Sequence, residues 1–327
     1  MKTKRLLSML VIVLGLSMIL AACNSSGGGS DGGSEEEPSE LSLLTGGTGG
    51  TYYPLGGEIA SLMSDKTEKT VTAQSSGASV ENMQTLQSGD ADLAFTQTDI
   101  ASYAVNGELM FKDGKVDNIQ AIGTLYPETI QIVTLKDSDI ESVEDLKGKT
   151  VSIGALGSGT AANAEQIIKV HGLSLEDIDV QNLAFDESTE GIQDGKIDAA
   201  FITSGAPTGA VESLSAMKPV KIVPISADKA KELADEYPYY AEDVVPAGTY
   251  GLEKEVPTVA VLAMLVVRKD LSEDTVYELT KALFDNLDQI KHAKGEKISA
   301  EKALDGVGIE LHPGAKKYFD EKGIETK

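Results

Sequence analysis

Short apolar runs alternate along the chain with longer stretches in which apolar residues recur every three or four positions. The runs predict strands at 41–45, 70–74, 91–96, 119–124, 129–135, 150–154, 179–183, 197–202, 220–225 and 258–267. The three- and four-residue steps predict helices at 54–65, 78–88, 99–106, 142–147, 160–171, 187–194, 207–215, 227–236, 273–292 and 314–322. Strand alternating with helix is the pattern of an α/β protein whose mostly parallel sheets are covered on both faces. The clearest helical stripe is Val276, Leu279, Leu283, Phe284, Leu287 and Ile290. Two long apolar segments, 126–137 and 258–270, lie either side of the middle of the chain. They are expected to cross between two lobes, once out and once back, although central strands of one sheet would carry the same pattern.

One small module occurs twice. Residues 85–99 read TLQSGDADLAFTQTD and residues 191–205 read GIQDGKIDAAFITSG. Each is a helix end, a Gly, an Asp, then Ala-Phe leading an apolar strand into a Thr/Ser loop. Upstream of each lies a strand that runs into a Gly/Thr loop, LSLLTGGTGGT (41–51) and TVSIGALGSGT (150–160). Two lobes built on one plan, with glycine loops at strand ends, describe a protein that closes on a small ligand.

The N-terminus adds a compartment. Lys2, Lys4 and Arg5 precede an apolar run over 6–22, and Leu20–Cys23 reads LAAC. That is the lipoprotein processing pattern, with Cys23 the lipidated first residue; an uncleaved anchor or an ordinary secretory signal is the blander alternative. Cys23 is the single Cys of 327 residues, so no disulfide braces the fold. The expected organisation is a signal at 1–22 and a flexible Gly/Ser/Glu tether at 23–40, which reaches roughly 20–25 Å. Losing Lys2, Lys4 and Arg5 would take the net charge from −24 to −27. Such a balance argues against nucleic acid and anionic lipid surfaces as partners.

Chemistry concentrates in loops. TGGTGGTYYPLGGE (45–58) clusters glycines ahead of a helix, where backbone N–H groups and the helix start favour a ligand. It lacks the Gly-Lys-Ser/Thr of a phosphate-binding P-loop. In GALGSGTAANAEQII (154–168), Gly157, Gly159 and Ala162 fit a dinucleotide fingerprint, with Asp177 and Asp179 near the ribose-carboxylate distance. The same geometry suits a carboxylate at a helix start, assisted by the Ser158 and Thr160 hydroxyls, and this is the preferred reading. Ser75, Ser76 and Gly77 follow one strand, TSGAPTG (203–209) another, and Gln97, Thr98 and Asp99 a third. Asp99 is a candidate partner for an ammonium group, or simply a helix cap. Arg268 is the one arginine after the signal and is expected to face water at a strand end. Neither G-x-S-x-G nor H-E-x-x-H occurs, and His171, His292 and His312 are scattered. The expectation is a non-enzyme without cofactor or metal.

Together GGTGGTYYPLGG, SSGASVENMQTLQSGDADLAFTQTD, GSGTAANAEQII, VVPAGTY (244–250) and ELHPGAKKYFDEKGI (310–324) resemble the TAXI group of solute receptors for TRAP transporters, across 41–327. The resemblance implies a two-lobed periplasmic-binding-protein fold, type II-like, with one lobe from 41–130 and 264–327 and the other from 131–263. It implies a small carboxylate ligand, glutamate- or glutamine-like, passed to a TRAP permease by a monomeric receptor. It also implies binding residues Gly47, Thr48 and Thr51, Tyr52 as an aromatic wall, and Ser75, Ser76, Gln97, Ser158, Gly159, Thr160, Ser204 and Tyr250. The combined expectation is a lipid-anchored receptor on the outer face of the cell membrane. A lipoprotein reporting to a sensor kinase and a dinucleotide-dependent enzyme remain the alternatives.

Cys23→Ser is expected to release the protein or leave it unprocessed. Metabolic labelling with a fatty acid checks this, and a labelled, membrane-retained Cys23→Ser protein would contradict it.

Overall fold

The computed structural model describes residues 38–326. The signal, Cys23 and all but the last three residues of the tether lie outside the described residues. The described residues form one compact unit. No described helix is long and apolar enough to cross a membrane.

The first half is built from β1 (Glu40–Leu44), α1 (Tyr52–Lys66), β2 (Thr70–Gln74), α2 (Ser79–Ser88), β3 (Leu93–Gln97) and α3 (Thr98–Asn106). A long strand, β4 (Ile119–Leu135), leads out. The second half repeats the order with β5 (Thr150–Ser152), α4 (Gly159–Val170), β6 (Asp179–Gln181), α5 (Phe185–Asp194), β7 (Ala199–Ser204) and α6 (Gly209–Met217). Then come β8 (Val220–Val223), α7 (Ala227–Glu236), β9 (Ala241–Val245) and the returning β10 (Val256–Arg268). Helices α8 (Glu273–Phe284) and α9 (Pro313–Glu321) close the chain.

The sheet order is β2-β1-β3-β10-β4-β7-β5-β6, with β8 on β4 and β9 on β10. Each half is thus a parallel fan, β2-β1-β3 or β6-β5-β7. The fans are joined by β4 and β10, which run antiparallel to each other and to the strands beside them. The two strands predicted at 119–124 and 129–135 are one, because Pro127 and Glu128 stay extended opposite Leu262 and Val261. β10 pairs with β3 through Ala263–Val267 and with β9 through Val256–Ala260, so it too belongs to both halves. β9 was not predicted, since AEDVV carries its acids on an exposed edge.

The predicted helix 273–292 ends at Phe284. There Asn286 Nδ2 takes the Ala282 carbonyl at 2.9 Å, which breaks the ladder, and a 3-10 turn follows at Leu287–Gln289. The predicted helix at 142–147 is a 3-10 turn, Val143–Leu146.

The repeated module does the same work in each half. Gly89 and Gly195 end α2 and α5 in the left-handed region, at φ 80° and 74°, where a Cβ is strained. Asp92 then accepts the Ser42 N–H of β1 at 2.7 Å, and Asp198 accepts the Thr150 N–H of β5 at 2.8 Å. Along β3, Leu93 and Phe95 pack on one face and Ala94 on the other; along β7, Ala199 and Phe201 oppose Ala200 and Ile202. Both faces are covered, which is why these strands read as unbroken apolar runs. Arg268 does not face water: its guanidinium lies 3.1 Å from Asp92, mostly buried, at the end of β10.

Asp198→Ala should cost about 0.5–1.5 kcal/mol, since the bond it removes is exposed and water can replace it. Asp92→Ala should cost more, since it also strips the Ser42 hydroxyl and Arg268 of their partner. Urea unfolding of both variants checks the order, and equal midpoints would contradict it.

Candidate functional site

The loops after β1, β2, β5, β6 and β7 converge where the crossing strands pass from one half to the other. Register explains the convergence: Gln97, last of β3, pairs with Ala263, and Ser204, last of β7, pairs with Thr129, next to Glu128. The cavity they enclose measures about 70 Å³. Its walls come from Gly46, Gly47, Gly50–Tyr52, Ser76–Ser79, Gln97 and Glu128 on one side, and from Ala155, Ser158–Thr160, Ala184–Phe185 and Thr203–Ser204 on the other.

The halves are closed on each other. Ser204 Oγ accepts the Thr51 N–H at 3.1 Å and donates to Thr51 Oγ1 at 3.0 Å. The Ala210 N–H reaches the Gly49 carbonyl at 3.1 Å. The Val80 and Glu81 N–H groups, in the first turn of α2, share the Gly157 carbonyl at 3.0 and 3.1 Å. Two glycines permit this approach: a Cβ on Gly159 would stand 2.0 Å from Gln97 Oε1, and one on Gly49 2.2 Å from Asp186. Ala78, on the cavity wall, is held at φ 76°, ψ −148°, a region costly for any residue with a Cβ.

Of the residues expected at the site, Gly47, Thr51, Tyr52, Ser76, Gln97, Ser158, Gly159, Thr160 and Ser204 line the cavity. Four do not. Ser75 is exposed, because it alternates with Ser76 as the chain leaves β2. Thr48 donates to Asp186 at 3.0 Å at the exposed rim, where it bridges the halves. Asp99 sits behind the wall, buried at the start of α3, and accepts from Asn163 Nδ2 at 3.0 Å. Tyr250 accepts the Thr208 N–H at 2.6 Å and donates to Gln131 at 2.5 Å, fixing the start of α6 against β4. Ser158 caps α4 by accepting the Ala161 N–H at 3.2 Å, so its lone pairs are partly committed.

The residue that sequence reading missed is Glu128. It is 2 % exposed and accepts the Tyr52 hydroxyl at 2.6 Å. Its one sequence signal is an acid inside the apolar segment YPETIQIV, which reads more naturally as a solvent-facing position. Burial pushes its carboxyl up from 4.5 to about 8; the Tyr52 hydrogen bond lowers it in part, and the Asp99 charge adds to the rise. Asp99 is itself raised by burial, from 3.8 to about 6. Among the described residues no Lys, Arg or His lines the cavity, and no group of them could hold a metal. Gln97 Oε1 and Thr203 Oγ1, both buried on the wall, have no hydrogen-bond partner.

The family model described as NMT1-like matches residues 43–323. The chain belongs to the NMT1-like family. This corrects the TAXI resemblance: the glycine loops and repeated module that suggested it all fall inside the NMT1-like match. Similar solved structures agree on the fold at low identity. A Bordetella bronchiseptica protein is 17 % identical, with 88 % of this chain and 83 % of that one covered and a TM-score of 0.55. The binding component of a phosphonate ABC transporter from Pseudomonas aeruginosa is 14 % identical (81 % and 80 % covered, TM-score 0.54). PhnD1 from Prochlorococcus marinus, solved with methylphosphonate, is 14 % identical (88 % and 97 % covered, TM-score 0.52). The NMT1-like chain therefore has the α/β periplasmic-binding-protein fold, and neither a TRAP partner nor a carboxylate ligand finds support among these matches.

The folded chain holds protons on Glu128 and Asp99 that the unfolded chain has already released at the same pH. Their combined effect lowers stability as pH rises from about 4 to about 8. Glu128→Gln should therefore gain stability relative to the wild type as pH is raised through that window. Melting temperatures of both proteins measured from about pH 5 to pH 8 check this, and a constant difference would contradict it.

Proposed function

We propose that this NMT1-like protein is an extracytoplasmic, non-catalytic solute receptor. It traps one small molecule between its halves and passes it to a membrane transporter. The observation that carries the reading is the cleft itself. Loops from both fans meet around a cavity; Thr48 with Asp186 at the rim and Asn163 with Asp99 behind the wall join the halves, while the closing contacts at the cavity itself are neutral, Thr51 with Ser204, Ala210 with Gly49 and the first-turn N–H groups of α2 with Gly157. Such bonds can break and re-form without leaving a buried charge unpaired, as a receptor that opens and closes requires.

The basic, apolar and LAAC segments at the N-terminus support export and lipid attachment at Cys23. The phosphonate-transporter component among the structural neighbours favours a permease of the ABC kind as the partner. The ligand of PhnD1 is not carried over with it. A phosphonate would enter a cavity that lacks a basic side chain and contains Glu128. The dinucleotide alternative is disfavoured by size, since the cavity between the closed halves measures about 70 Å³.

Closure supplies the test. Gly159→Ala places a methyl group against Gln97 and should hold the halves apart. Small-angle scattering on protein freed of solute by mild unfolding and refolding should show compaction when solute extracted from the native protein is returned. Gly159→Ala should fail to compact. A wild-type profile unchanged by that extract would contradict the receptor reading.

A further inference from the structure

Three polar side chains on the cavity wall have buried oxygens open to a ligand. Gln97 Oε1 is an acceptor, buried to 2 % exposure and without a partner. Thr203 Oγ1, at 4 % exposure, is also unpartnered and can accept. Glu128 adds two carboxyl oxygens, one of which accepts the Tyr52 hydroxyl, and while protonated it also carries one O–H. Unpaired buried acceptors cost on the order of 1–3 kcal/mol each, and a donor from outside would satisfy the two on this wall.

Some of the donors that an anion would use are already engaged. The first-turn N–H groups of α2 go to Gly157, the Thr51 N–H goes to Ser204, and the Ala161 N–H goes to Ser158. The groups facing Glu128 are Tyr52 from α1, Tyr126 on its own strand, Gln97 from β3 and the Asp99 charge from α3, and none is a cation.

Resting on the receptor reading, we infer that the solute is a small molecule carrying a protonated amine. Its N–H groups are received by Glu128, Gln97 and Thr203. An ammonium offers donors and one positive charge, which the acidic wall lacks. Binding ionises Glu128, because a carboxylate beside an ammonium is favoured over a carboxylic acid. Below about pH 8 the proton Glu128 carried leaves to solvent, one per ligand bound.

The test is calorimetry with matched probes: L-alanine against L-lactate, L-serine against L-glycerate, 1-butylamine against 1-butanol, and methylphosphonate. The expected result is binding of an amine probe, with its deaminated partner at least about tenfold weaker. Glu128→Gln should weaken the amine by about ten- to a hundredfold, the equivalent of a charge-assisted hydrogen bond, and Thr203→Val by a smaller factor. Amine affinity should rise between about pH 6 and pH 8. If a deaminated probe or methylphosphonate binds at least as tightly, or affinity falls over that range, Glu128 acts as a neutral donor to an anion. The inference is then overturned while the receptor reading stands. If the amine binds and folded Glu128→Gln binds it unchanged, the inference fails alone. If no probe binds, both fail.

Discussion

β4 and β10 are hydrogen-bonded to each other through the middle of the molecule and to one parallel fan on either side. Every residue on the cavity wall is placed relative to this pair. Because the strands pass between the halves, the side chain at their crossing cannot reach solvent, and that side chain is a carboxyl. Burying it is costly unless it is neutral or meets a positive charge. The fold supplies a tyrosine hydroxyl and no cation, so the cost is borne by a shifted proton equilibrium at the place where the two halves meet.

The rest of the cleft is compatible with that constraint. The closing contacts at the cavity itself are neutral: a carbonyl shared by two N–H groups and a pair of hydroxyls. Charged closing contacts would compete with Glu128 for any ligand charge. Those that involve a carboxylate, Thr48 with Asp186 and Asn163 with Asp99, lie at the rim and behind the wall. The strain at Ala78 falls on the wall itself, where over-determined backbone accompanies function more often than it does in a plain turn.

Much of the architecture was legible because it is repeated. Gly89 and Gly195, Asp92 and Asp198, and Phe95 and Phe201 occupy matching places, and each pair performs one physical task twice. Nine of the expected binding residues face the cavity, since glycines and hydroxyls at strand ends have few other uses. Thr48, Ser75, Asp99 and Tyr250 have the right chemistry but a neighbouring position: one step along an extended chain reverses Ser75 relative to Ser76. Glu128 was hidden for a different reason. A lone acid in an apolar strand is ordinary at an exposed position, and only the joining of 119–124 with 129–135 into one strand puts it inside. The family assignment also required the whole chain, because short glycine motifs recur among related folds.

The protonation state of Glu128 is the quantity on which the account turns. Infrared difference spectroscopy of wild type against Glu128→Gln, near neutral pH, observes it directly. A protonated buried carboxyl present without solute, and lost when an amine-bearing solute binds, is the predicted result. A carboxylate that is ionised throughout, or a carboxyl proton that survives binding of such a solute, would contradict it.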